Sequence, residues 1–218
     1  LGVEVQTPKV GFVLEEDAFT RMPQQLADRY RLVDSVPVLC DLKNIPSLGV
    51  VGSRSLTVRM AQALAVQLAT LHGYDEVRLA VIFPPAEWEQ WAWMRWLPHT
   101  WNEDRTQRYL AGSRYEASQL FAGLEKVFQR RKAERGGLWG QTTSPLPHYV
   151  VLVADPSLLN GQPAAEELFA HPEGLGISWI LLGQGISSLP GGIRQILEAR
   201  GEESALYLRE RTEEKRSF

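Results

Sequence analysis

A chain of 218 residues that is 44% hydrophobic is long enough to bury a full core, as one domain or as one domain with a small appendage. Its formal net charge of −3 creates no global field for nucleic acid or an anionic membrane surface, so nucleic acid is not an expected partner. Cys40 is the only cysteine, which excludes an internal disulfide and a cysteine-based metal cluster, suits a reducing compartment and reads as a buried thiol.

No apolar run reaches the roughly 18 to 20 residues that cross a bilayer, and no charged segment followed by an apolar one opens the chain. The chain as given is expected to be soluble. Its start at Leu1 without a methionine and its polar end "RERTEEKRSF" lead to the expectation of a piece of a longer protein, with any membrane anchor outside it.

In chain order, the first stretch holds two short β-type runs, Val10 to Leu14 and Val36 to Leu39, around a polar segment with a short helix near Gln24 to Tyr30. "SLGVV" follows as a strand ending at Gly52. From Thr57 to Leu71 the apolar residues Met60, Ala61, Leu64, Ala65, Leu68 and Leu71 recur at helical spacing, and His72 with a left-handed Gly73 is the expected stop. "VRLAVIF" (Val77 to Phe83) is nearly continuous in apolar residues, as suits a strand covered on both faces. A long helix is predicted from Tyr115 to Lys132 with Leu120, Leu124, Val127 and Phe128 inward, then the loop "ERGGLWGQTTSPLPH". "YVVLVAD" (Tyr149 to Asp155) is the next strand, "AAEELFA" a short helix, "ISWILLG" (Ile177 to Gly183) another strand and "SALYLR" (Ser204 to Arg209) the last. Strands alternating with helices predict an α/β fold with a mainly parallel sheet.

The strand, glycine turn and helix from Leu48 to Gly73 have the outline of a phosphate-gripping loop, G-x-x-x-x-G-K-[ST]. There the backbone N–H groups wrap phosphates, lysine neutralises them and the hydroxyl holds magnesium. Counted from Gly49, the second glycine, the lysine and the hydroxyl fall on Arg54, Ser55 and Leu56. Counted from Gly52, they fall on Thr57, Val58 and Arg59. Neither register supplies lysine and hydroxyl together. The loss of a charge-assisted bond of roughly 1.5–3 kcal/mol and of a metal ligand predicts that hydrolysis is lost. Gly52, Ser53, Arg54, Ser55, Leu56 and Thr57 remain the candidate, degenerate nucleotide-binding positions. Arg54 and Arg59 are expected to be solvated or ion-paired. Asp155 ends its strand where a magnesium ligand would stand, but Pro156 follows in place of a catalytic glutamate. A turn contact from Asp155 to the backbone is the alternative. No catalytic residue is assigned, and no metal ligand beyond the weak candidate Asp155.

These pieces resemble the FtsK/SpoIIIE-type RecA-like ATPases, through the lead-in "VPVLCDLKNIPSLGVVG", the acidic strand "YVVLVAD" and "GLGISWILLGQGISSLPGGIRQIL", which places Gln184 at the sensor-like glutamine. The likeness covers most of the chain from Val36 to Arg209. "VRLAVIFPPAEWEQWAWMRWLPHTW", "DLKNIPSLGVVGSR" and "LATLHGYDEVRLAVI" are similar to a narrower group, the large membrane ATPase of type VII secretion, called EssC or EccC. The resemblance implies a degenerate RecA-like module at 36–218 after a small β-rich lead-in at 1–35. The same resemblance implies a place on the cytosolic side of a membrane-anchored export motor, between the membrane-spanning helices and the first regular ATPase domain. Implied partners are the other domains of that ATPase and membrane components of the secretion system, with oligomers in the full machine. No cofactor is expected. The alternative is a divergent ATPase binding ATP and magnesium.

Five of the seven tryptophans, Trp88, Trp91, Trp93, Trp96 and Trp101, fall within fourteen residues. On a helix Trp88, Trp91 and Trp96 share a face and Trp93 does not, so one buried stripe cannot hide them all. Trp88, Trp91, Trp93 and Trp96 are therefore candidates for a protein contact. His99 reads as a structural hydrogen-bonding group. "RRKAER" (Arg130 to Arg135) suits the negative pole of its helix, and Glu166 and Glu167 the positive pole of theirs.

Overall fold

The computed structural model describes residues 3–6, 25–26, 29, 33–37, 39–135, 145–170, 172, 174–200 and 203–208. The chain divides into two compact units, Leu1–Cys40 and Asp41–Phe218. In the first, β1 (Val3–Gln6) pairs antiparallel with β2 (Val33–Pro37), with an irregularity between Glu4 and Gln6, and Gln25, Leu26 and Arg29 are helical. The predicted run Val10 to Leu14 lies outside the described residues. The run predicted at Val36 to Leu39 begins earlier and stops at Pro37, whose missing N–H cannot extend the ladder, and Leu39 is 81% exposed.

The second unit is a seven-stranded sheet. Its strands are β3 (Ser47–Gly52), β4 (Val77–Ile82), β5 (Leu110–Ala111), β6 (His148–Val153), β7 (Ile177–Gly183), β8 (Gln195–Arg200) and β9 (Glu203–Leu208), in the order β5-β4-β6-β7-β3-β8-β9. All neighbours are parallel except β8 and β9. The crossovers are α1 (Arg54–Leu71), the segment around the short helix α2 (Trp88–Trp91), α3 (Arg114–Arg135) and α4 (Pro163–Ala170). Alternate residues of the central strands enter one apolar cluster. Ala80, Ile82, Tyr149, Val151, Val153, Ile177, Trp179 and Leu181 meet Leu120, Phe121, Leu124 and Phe128 of α3. Their neighbours in sequence, such as Leu79, Val81, Leu152 and Ile180, are also buried, and α1 packs on β3, β4, β7 and β8. Coverage of both faces explains why these strands read as unbroken apolar runs.

Several expectations need correction. Helix α1 begins three residues before Thr57, and Leu71 is exposed, its last turn having run past the sheet. Gly73 is not among the left-handed glycines. The chain leaves α1 extended at His72, and Gly73 instead donates its N–H to Glu76 Oε2 while its carbonyl accepts from Glu76 and Val77. Strands β5 and β8 were not foreseen: the first is two residues long, and the second carries Glu198 among its apolar positions and is defined by pairing with β3 on one side and β9 on the other. The basic run closes α3 as expected, and three of its residues have partners. Arg131 is buried and donates to the carbonyls of Pro147 and Leu175, just ahead of β6 and β7, while Arg130 pairs with Glu103 and Lys132 with Glu167.

Candidate functional site

The carboxyl ends of β3, β6 and β7 open into a cleft of about 440 Å3, lined among others by Gly52, Arg54, Thr57, Glu87, Asp155, Gln184 and Ser188. Ligands of open parallel sheets bind at such an edge, where the strand order reverses. In this unit the chain runs from β3 to one side and returns to its other side with β8.

The glycine turn is far shorter than a phosphate loop. Only Ser53 separates Gly52, the last residue of β3, from Arg54, the first of α1. Gly52 has φ of +146°, and a Cβ there would stand 2.6 Å from the carbonyl oxygen of Ala199, so the position demands glycine for close packing against β8. Arg54, Ser55, Leu56 and Thr57 are helical and form no arc of N–H groups around an anion. The Ser53 side chain caps nothing, and the buried Thr57 hydroxyl turns back to the carbonyl of Arg54 at 3.0 Å. In the register counted from Gly52 the lysine position, Val58, is buried against the sheet and Arg59 is exposed. In the other register Gly49 lies inside β3, where an added Cβ would collide with Leu189.

Arg54 occupies the mouth instead. Its Nε and Nη2 each lie 2.6 Å from Oε1 of Glu87, and its Nη1 donates to the carbonyl of Ala154 at 2.6 Å. Because β7 lies between β3 and β6, this guanidinium bridges the end of one strand to the end of the next but one. The other carboxylate oxygen of Glu87 accepts from Nε1 of Trp91 at 3.1 Å. Glu87 was missed in the sequence. Its signal was its spacing: four residues before Trp91 and just past a buried strand, it shares a helical turn with the indole.

Asp155 caps the 3-10 turn Pro156–Leu159, its Oδ1 accepting from the N–H of Ser157 at 2.9 Å. Gln184 follows β7 and lines the cleft. Among the described residues no group of three or more His, Cys, Asp or Glu is arranged to hold a metal ion. A triphosphate with magnesium does not fit this residue set, because the wrapping loop is missing and Arg54, the cation that lines the cleft among the described residues, is already paired with Glu87.

The tryptophans separate by environment. Trp91 is fully buried, stacked on Phe83 at 6.3 Å, and belongs to the core rather than to a contact surface. Trp93 is half-buried, Trp88 is 44% exposed, and Trp96 is 74% exposed with the Arg95 guanidinium over its ring at 4.9 Å. The helical wheel failed here because the segment passes from α2 into the 3-10 turns Ala92–Trp96 and Pro98–Thr100. His99 is buried and donates from Nε2 to the carbonyl of His72 at 2.9 Å.

No model of a known protein family matches the chain. It is 28% identical over 184 residues to the ESX secretion system protein EccC of Geobacillus thermodenitrificans, covering 84% of this chain and 12% of that protein. It is 25% identical over 181 residues to the ESX secretion system protein YukB of Bacillus subtilis, covering 83% and 12%. The chain thus spans about an eighth of the length of these relatives. Among solved structures, it superposes on EssC (ATPases 2 and 3) of Geobacillus thermodenitrificans with a TM-score of 0.59 at 12% identity, covering 78% of this chain and 34% of that one. Among the described residues no helix is long and apolar enough to cross a membrane. The chain is related in sequence to the type VII secretion proteins EccC, EssC and YukB, and its seven-stranded unit has the RecA-like fold of their ATPase domains.

Proposed function

We propose that this chain is a non-catalytic module of a type VII secretion ATPase. It joins the membrane part of the parent protein to the active ATPase domains through protein contacts. It acts on the cytoplasmic face of the cell membrane, reaches the membrane only through segments outside this chain, and assembles with the neighbouring domains and the membrane components of the secretion system.

The observation that carries this reading is the Arg54 brace behind a one-residue turn. A motor needs a cation free to meet the outer phosphates and backbone donors to wrap them. Here the cation is paired with Glu87, and the single residue between β3 and α1 is too short a turn to wrap a phosphate. Trp88 and Trp96 support the contact role, since large aromatic side chains left in solvent mark interaction surfaces. The alternative, weak ATP binding with magnesium at Asp155, has the position of the cleft in its favour and the composition of the cleft against it.

Calorimetric titration of the chain with ATP, with and without magnesium, separates the two. No heat of binding is expected at submillimolar nucleotide. Magnesium-dependent binding in the micromolar range would establish the alternative.

A further inference from the structure

We propose that Arg54 and Glu87 are positioning residues for the tryptophan segment, so that the pairing at the cleft governs how Trp88 and Trp96 are displayed. This rests on the reading of those tryptophans as a contact surface. The two oxygens of the Glu87 carboxylate are divided between two structures. Oε1 takes the Arg54 guanidinium at 2.6 Å, and Oε2 takes the buried Trp91 indole at 3.1 Å. Arg54 belongs to the cleft; Trp91 lies in sequence between the exposed Trp88 and Trp96.

A second tether comes from the same helix, where Gln62 Nε2 donates to the carbonyl of Gln90 at 2.7 Å. The covalent route from β4 into the segment is short and stiff, through Pro84 and Pro85, with the Glu87 N–H closing a turn on the Pro84 carbonyl at 2.9 Å. Helix α1 therefore holds the segment at its first residue and again two turns later. The Glu87 side chain is only 13% exposed, so removing Arg54 leaves a desolvated carboxylate without a counter-charge. Such a group is relieved by moving toward water, and Trp91 loses its acceptor when it does.

The test reads the indole N–H signals of the 218-residue chain by 1H–15N NMR without nucleotide, the Trp91 signal being assigned by its loss in Trp91→Phe. In Arg54→Met the Trp91 signal is expected to shift through the shared Glu87 carboxylate. The buried Trp179 indole, in the α3-side cluster, stays in place. Amide exchange across residues 88–96 rises about tenfold, the scale of one lost bond to a charged group. Arg54→Lys returns the Trp91 signal part of the way, since an ammonium still pairs with Glu87, and it carries the same comparison if the methionine variant does not fold. A Trp91 signal unmoved by either substitution, or Trp91 and Trp179 shifting together, overturns the proposal. Because no nucleotide is present, either result is independent of the calorimetric one.

Discussion

His148 shows how a single residue couples this fold to pH. Its Nε2 lies 2.6 Å from Ser178 Oγ, which spends its own proton on the Leu42 carbonyl at 2.6 Å, so the imidazole Nε2 is the donor. Burial, with Arg131 and Lys43 nearby, lowers its pKa from the ordinary 6.5 to about 4. Between those values the unfolded chain binds a proton that the folded chain refuses. The contribution is complete above pH 6.5 and drains away as pH falls toward 4, by at most about 3 kcal/mol. Urea midpoints measured from pH 7 to pH 4 should fall along this slope, and His148→Gln, which retains a donor for Ser178, should flatten it. At this scale the sequence was legible where chemistry is local. Asp155 before Pro156 is a turn-former in any context, and the structure has it bonded to the N–H of Ser157. Glu87 was legible only through its spacing to Trp91, because its other partner lies 33 residues upstream and only the fold brings the two to one carboxylate.

Helix α1 carries the lesson at the scale of the element. Its apolar spacing announced a helix, but not that the helix starts at Arg54 and takes the would-be loop into its first turn. Propensity is nearly silent about the first turn of a helix, and tertiary packing of Thr57, Val58, Ala61 and Ala65 decides it. Restoring the lost pair as Val58→Lys with Arg59→Ser should therefore not restore hydrolysis. Val58 faces the sheet, so the new ammonium would be buried without a partner, at a cost of about 3–5 kcal/mol. Phosphate release at background level, together with a lower urea midpoint, is the expected outcome. Detectable turnover would show that α1 can unwind into a working loop.

At the scale of the molecule, the seven-stranded unit folds around an apolar cluster on one face of its sheet and further buried residues on the other, so core changes in it read out globally and surface changes do not. Trp91→Ala should lower the free energy of unfolding by about 3–5 kcal/mol, whereas Trp96→Ala should change it by about 0.5 kcal/mol or less. Both are measurable by denaturant titration, and equal effects would contradict the burial of Trp91 and the exposure of Trp96. Sequence alone determined the class of the fold. Residues buried on both faces must be apolar at consecutive positions, and helices covering them must be apolar every third or fourth residue, and both periods are written in the chain. It also determined that neither register contains the lysine and hydroxyl of a phosphate loop, since a missing side chain needs no coordinates to be seen. Tertiary structure alone decided the placement of β8 beside β3, the burial of Trp91 and not Trp96, and the crossing of Arg54 to Glu87 and Ala154. Each of these depends on groups distant in sequence meeting with their charges and hydrogen bonds matched, and no local pattern encodes that meeting.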